Sequence, residues 1–267
     1  MSASPPAALP PVLETAARRI AAARSAGHVV TAFAQGEGPA SLDEAYAVQR
    51  ALLARWGERH AGWKVGATSK EVQSLFGVTE PMFGPVFAPT VFQSPARLRA
   101  ADFQHLMLES EFAFRFATDL PARAEAYARD EVLAAVSEAI PAMEIVSPRF
   151  ERLPVDNIPA LVADFDANGG AVLGAPCAAW RDLDLPAHAV SLFIGGTSRQ
   201  AGTGALVLGD PLAVLVWLAN ALSAQGLGIE AGQIVLTGSM TGVHAPEPGQ
   251  AAVADFGALG RVEVTFD

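Results

Sequence analysis

Cysteine occurs once, at Cys177, so no internal disulfide can form and a multi-cysteine zinc site is excluded. That usage fits a reducing compartment, and the expected address is the cytoplasm. Lysine is almost as scarce: Lys64 and Lys70 stand against sixteen arginines, so lysine is not the routine surface cation here. Positive charge is in deficit, with 18 Lys and Arg against 28 Asp and Glu and a net charge of -10. No basic run supplies the footprint that phosphate backbones require, so a nucleic-acid partner is not expected. Long apolar runs are missing too. The longest, Pro211 to Ala219, has nine residues, against the roughly 20 of a membrane helix. The N-terminus has no charged start leading into an apolar stretch, so neither a leader nor a membrane partner is expected.

What is present excludes disorder: 51% of residues are hydrophobic and 17% charged. A chain of 267 residues reads as one large domain, or one with a small appendage, at roughly 150 residues per domain. Residues 1 to 11 form a Pro/Ala arm. Helical spacing runs from Val12 to Ala26, and a second helix starts at Ser41, where Glu44 three residues on completes a capping box. Its apolar face is Ala45, Val48, Leu52 and Trp56. From Ala61 the texture becomes β-like and Gly-bounded, followed by a Pro/Gly-punctuated stretch from Gly77 to Pro95. Strand signals recur at Met107 to Phe116, Ala142 to Val146, Ala189 to Ile194, Ala205 to Leu208, Ile234 to Thr237, Ala252 to Phe256 and Arg261 to Phe266. Helices are predicted at Arg129 to Ala139 and Pro211 to Gln225. Irregularly spaced strands with few helices between them indicate an α+β class with a mixed sheet. The predicted division is a helical segment, residues 1–60, and a mixed-sheet domain, residues 61–267.

Strand alternation puts Glu109 and Glu111 on one face and Phe112, Phe114 and Phe116 on the other. Two such carboxylates can converge on a hard cation, or they can be the solvated face of a half-buried strand. Glu144, flanked by apolar residues in Ala-Met-Glu-Ile-Val, needs compensation if buried. Either an arginine such as Arg149 or a cation shared with Glu109 and Glu111 would supply it. Lys64, between Trp63 and Val65, is either a snorkelling surface residue or a buried amine of depressed pKa. His28, His60, His105, His188 and His244 lack ligand spacing and read as surface or capping residues. Ser239 is not in a nucleophile elbow.

The stretches Gly62-Trp-Lys-Val-Gly-Ala-Thr-Ser69 with Gln73, Glu80-Pro-Met-Phe-Gly84, Leu108-Glu-Ser-Glu-Phe-Ala-Phe114, Pro141-Ala-Met-Glu-Ile-Val146, Val162-Ala-Asp164, Leu208-Gly-Asp-Pro211 and Val235-Leu-Thr-Gly-Ser239 occur in one order. Together they resemble the 2-keto-4-pentenoate hydratase and 4-oxalocrotonate decarboxylase branch of the fumarylacetoacetate hydrolase superfamily, from about Leu42 to the C-terminus. The resemblance implies a mixed sheet rolled into a partial barrel with flanking helices, and a homo-oligomer. It implies Mg²⁺ or Mn²⁺ held by Glu109, Glu111 and Glu144, with Lys64 and Asp164 catalytic. Ser69, Gln73, Thr237 and Ser239 are implied to bind a small 2-oxo-acid substrate. The implied activity is hydration of a 2-hydroxy-2,4-dienoate to a 4-hydroxy-2-oxo acid in aromatic-compound catabolism. Decarboxylation of a 4-oxalocrotonate-type acid, acylpyruvate hydrolysis and non-catalytic 2-oxo-acid binding are the alternatives. Two departures are visible: Met82 stands where many hydratases carry Asp, and Phe165 follows Asp164 where Asn is usual.

Overall fold

The computed structural model describes residues 8–267, so residues 1–7 of the predicted arm lie outside the described residues. Two helices come first, α1 (Pro11–Ala26) and α2 (Leu42–Arg55). α1 opens on Pro11, whose missing N–H costs nothing at a first helical position, and ends at Gly27 in the left-handed region. At α2 the Ser41 hydroxyl accepts the Glu44 N–H at 3.2 Å. The Glu44 carboxylate accepts from Ala40 rather than Ser41, which closes the predicted box one residue early. Ala45, Val48 and Leu52 are buried as their spacing requires, while Trp56 lies just past the helix end.

The chain continues with β1 (His60–Gly66), α3 (Lys70–Phe76), β2 (Met82–Phe87), β3 (Val91–Gln93), β4 (Ala96–Leu98), β5 (Met107–Phe116) and α4 (Arg129–Ala135). Then follow β6 (Val136–Val146), α5 (Ile158–Ala163), β7 (Asn168–Leu173), β8 (Ala189–Ile194), β9 (Thr197–Thr203), α6 (Pro211–Ala224), β10 (Ile234–Leu236), β11 (Ala251–Asp255) and β12 (Arg261–Phe266). One sheet has seven strands in the order β2-β1-β10-β5-β6-β7-β3, and the other five in the order β4-β12-β11-β8-β9. Both are mixed: β1 runs parallel to β10, β3 to β7 and β4 to β12, and the remaining pairs are antiparallel. Val86 of β2 and Ala171 of β7 stand near opposite ends of the larger sheet, yet they share one apolar cluster with Ala113, Ile140, Ala142 and Leu236. The sheet therefore rolls on itself as a partial barrel with aliphatic residues inside. Its outer face carries Trp63, Phe83, Phe112 and Phe114 into the main core, against the helices and the second sheet.

Two local expectations differ from the structure. The helix predicted to Ala139 stops at Ala135, because Val136 to Ala139 pair with Phe116 to Phe114 of β5; ladder hydrogen bonds to a buried strand outweigh helix propensity. Ala205 to Leu208 is not a strand. Gly204–Leu206 is a 3-10 turn, and the Leu208 N–H is taken by the Thr68 carbonyl. The punctuated stretch from Gly77 to Pro95 carries β2, at an edge of the larger sheet where proline is tolerated, and β3. The helical run Gly204–Ala224 has 21 residues and a mean hydropathy of 1.8, enough in length and composition to cross a membrane. Its apolarity has a local cause, since Val214, Leu215, Leu218 and Leu222 of α6 are buried in the main core.

Candidate metal centre

On β5 the side chains of Glu109, Glu111 and Ala113 project into the rolled face, while Phe112 and Phe114 project outward. The antiparallel partner β6 sets Glu144 directly opposite Glu109, so all three carboxylates share that face. One oxygen from each lies within 4.8 Å of the others. Glu111 and Glu144 are fully buried, and Glu109 is partly open. Lys64 enters the same face from β1, next to Leu236 of β10. Its ammonium donates to Asp166 Oδ2 at 3.0 Å and to the Asp166 carbonyl at 2.9 Å, and stands 3.5 Å from Glu144 Oε1. Gly66, two residues on, makes room for this pair: a Cβ there would sit 2.6 Å from Asp166 Oδ2. Asn168 donates to Glu144 Oε1 at 3.0 Å, and the Gly238 N–H to Glu111 Oε2 at 2.7 Å.

Four carboxylates thus face one ammonium. Glu111 Oε1 and Glu144 Oε2 are buried with no hydrogen-bond partner among the described residues. An orphaned buried carboxylate oxygen is expensive, and two aimed into one triad are the donor set that a hard divalent cation satisfies. Burial, reinforced by Glu144, pushes the Glu109 carboxyl up to about 7 against the pull of Lys64. Burial and its acidic neighbours hold Glu111 well above the usual carboxylate range. Burial alone would lower the Lys64 amine, but Asp166, Glu144, Glu109 and Glu111 outweigh it and the net shift is upward. Lys64 is therefore neither a snorkelling surface residue nor an amine of depressed pKa. It is a buried ammonium.

Other sequence-predicted residues sit as follows. The Asp164 carboxylate does not reach Lys64; it accepts from Arg24 Nε and from the Arg149 N–H, both at 2.6 Å. The acid that meets Lys64 is Asp166, two residues later, brought there by a left-handed turn that has no local signature in the sequence. Ser69 caps α3 by accepting the Val72 N–H, and Gln73 is buried between the Ala67 carbonyl and Lys70. Thr237 donates to the Phe112 carbonyl and Ser239 to the Gly242 carbonyl. These two hydroxyls flank Gly238, which touches Glu111, so the Thr-Gly-Ser turn borders the carboxylates. Thr68, also unmarked in the sequence, packs against Gly238. His60 is not a surface residue: it is wedged edge-on against Trp63, with centroids 4.5 Å apart. A cavity of about 690 Å³ is lined by Asn168, Arg24, Arg149, Trp56 and Phe87 but by none of Glu109, Glu111 and Glu144.

The model of the fumarylacetoacetate (FAA) hydrolase C-terminal family matches residues 61–267. A 2-keto-4-pentenoate hydratase from Paraburkholderia xenovorans (strain LB400) is 32% identical over 257 residues, covering 95% of this chain and 94% of that one. A 2-hydroxyhexa-2,4-dienoate hydratase from Comamonas testosteroni is 31% identical over 85% of this chain and 87% of its own. Among solved structures, 4-oxalocrotonate decarboxylase from Pseudomonas putida G7, complexed with magnesium and adipate, superposes with a TM-score of 0.85 at 26% identity. The match covers 96% of this chain and 97% of that chain.

Proposed function

The chain belongs to the fumarylacetoacetate hydrolase family, and from that premise we propose that it is a divalent-cation-dependent hydratase of 2-hydroxy-2,4-dienoates. The observation that carries the reading is the triad of Glu109, Glu111 and Glu144, two of whose buried oxygens have no partner among the described residues, beside the Lys64–Asp166 pair. Relatives named for hydration of such acids support the reaction class. A small 2-oxo acid as substrate, Mg²⁺ or Mn²⁺ as the ion, a homo-oligomer and a cytoplasmic address belong to the same proposal.

Glu109, Glu111 and Glu144 would hold the ion, which when bound supplies Lewis-acid polarisation of the substrate's 1-carboxylate and 2-oxygen. Lys64, kept charged by its acidic neighbours, attracts and orients the anionic head of the substrate. Asp166 lies 3.0 Å from the ammonium, with burial raising its pKa, so the pair can pass a proton to or from a substrate carbon. The Thr237–Ser239 turn, whose Gly238 N–H binds Glu111, would steady the head through the Thr237 and Ser239 hydroxyls once these leave the Phe112 and Gly242 carbonyls. Over the whole reaction the water hydroxyl ends on C4. The enol proton and the second water proton end on C5 and C3, giving the 4-hydroxy-2-oxo acid. Asn168 and Gly238 keep Glu144 and Glu111 oriented.

The test is calorimetric titration of metal-stripped protein with Mn²⁺ in the presence of oxalate, followed by mass spectrometry on a panel of substrates. Stoichiometric binding and a gain of one water from 2-hydroxypenta-2,4-dienoate are expected. Binding without turnover of any panel member would reduce the protein to a 2-oxo-acid binder, and absence of binding would make the triad structural. A second reading, decarboxylation, is favoured by the superposition on 4-oxalocrotonate decarboxylase. Loss of carbon dioxide from 4-oxalocrotonate identifies it, and cleavage into two fragments identifies a hydrolase.

A further inference from the structure

Two of the groups that complete the carboxylate site come from one short turn, residues 164–168. Three consecutive non-glycine residues there, Phe165, Asp166 and Ala167, have φ of 57°, 50° and 61°. Left-handed residues of this kind persist only where their surroundings over-determine them. Gly84 gives room, because a side chain there would strike the Phe165 carbonyl. The active grip comes from a residue distant in sequence.

Arg24, on α1, spans the turn from end to end. Its Nε donates to Asp164 Oδ1 and its Nη2 to the Asp164 carbonyl, both at 2.6 Å, while Nη1 donates to the Asn168 carbonyl at 3.0 Å. The guanidinium carbon lies 4.5 Å from the Phe165 ring centroid. The other Asp164 oxygen accepts the Arg149 N–H. Only 9% of the Arg24 side chain is exposed. Between the two gripped ends, Asp166 is turned onto Lys64 and Asn168 onto Glu144. Arg24 itself contacts neither Lys64 nor any of the three glutamates, and it precedes residue 61, where the family match begins.

We propose that Arg24 and Asp164 are positioning residues for the reaction: their ion pair, buried outside the metal site, holds the left-handed turn that aims Asp166 at Lys64 and Asn168 at Glu144. In its effect on turnover the inference rests on the hydratase reading. The planar fork matters as much as the charge, since a lysine ammonium cannot span two carbonyls and a carboxylate in one plane.

Arg24→Gln and Arg24→Lys, in the full chain, test it by Mn²⁺ calorimetry and by turnover of 2-hydroxypenta-2,4-dienoate. Arg24→Gln should weaken Mn²⁺ binding roughly tenfold or more, because Asn168 no longer orients Glu144. It should lower kcat by roughly a hundredfold with KM little changed, because Lys64 and Asp166 lose register. Arg24→Lys should recover little of either, whereas guanidinium ion added to Arg24→Ala should restore part of kcat. A role in stability alone would lower the melting temperature and leave the folded variants' Mn²⁺ affinity and kcat intact. Folded Arg24→Lys within about twofold of wild type in both would overturn the proposal. If Arg24→Gln does not fold, Arg24→Lys and Asp164→Asn decide it on the same two readouts. If the wild type binds Mn²⁺ but leaves the dienoate unchanged, the hydratase reading fails and Mn²⁺ affinity alone judges Arg24.

Discussion

Two buried ion pairs lie on either side of the turn at residues 164–168, and they are built differently. Arg24–Asp164 is closed: one cation meets one carboxylate, and both carboxylate oxygens are hydrogen-bonded. The Lys64 cluster is open: one ammonium faces Asp166, Glu109, Glu111 and Glu144, and two oxygens have no partner among the described residues. A closed pair asks for nothing further, whereas an open one holds surplus negative charge out of water and is stable only if a cation or protons arrive. The contrast separates a scaffold contact from a site without reference to any relative.

The largest expected effect breaks the open side. Glu144→Ala and Glu109→Ala should each abolish Mn²⁺ binding in calorimetry and turnover with it; Mn²⁺ binding retained by both would show that the triad is not the site. Next, the two pairs should respond oppositely to loss of charge. Asp164→Asn should destabilise the metal-free fold by about 3–5 kcal/mol, since it leaves Arg24 buried and uncompensated. Glu111→Gln should raise the melting temperature of the metal-free protein, because it removes surplus charge, and should cancel the stabilisation that Mn²⁺ gives wild type. Differential scanning fluorimetry with and without Mn²⁺ reads both variants; matching responses would erase the distinction between the pairs.

His60 extends the comparison to a half-buried group with no counter-ion among the described residues. Burial pushes its imidazole down to about 4, against an unperturbed value of 6.5. Above pH 6.5 it is neutral in both states and its full contribution is present. As the pH falls from 6.5 toward 4, the unfolded chain binds a proton that the folded one refuses, and stability is lost, by at most about 3 kcal/mol. Urea midpoints at pH 7 and pH 4.5 should therefore diverge in wild type more than in His60→Gln. The smallest effect is expected furthest from both pairs. Ser41→Ala removes the α2 cap and should cost about 1 kcal/mol, seen as a drop of a few degrees in melting temperature at unchanged kcat.

Much of this was legible in the chain because it depends on local periodicity. The alternation of Glu109, Glu111 and the phenylalanines is a property of any strand, and β5 lies where the pattern predicts. Ser41 and Pro211 mark helix starts by chemistry that acts within a few residues. The end of α4 was not legible, because Val136 to Ala139 are helical by propensity and become strand only through pairing with β5. Nor was the partner of Lys64. Asp164 and Asp166 are both acidic and two residues apart, and only the left-handed turn assigns one to Arg24 and the other to Lys64.

By itself, then, the sequence determined which side chains could carry charge on one face of a strand and where helices begin, since those depend on nearest neighbours along the chain. It also carried the motifs that point to the family. Tertiary structure decided which charges meet. The register that sets Glu144 opposite Glu109, the glycine that admits Asp166, and the reach of Arg24 to a turn 140 residues away are contacts between distant segments. Their geometry follows from how the sheet rolls and how α1 packs beside it, and no spacing within a single segment encodes it.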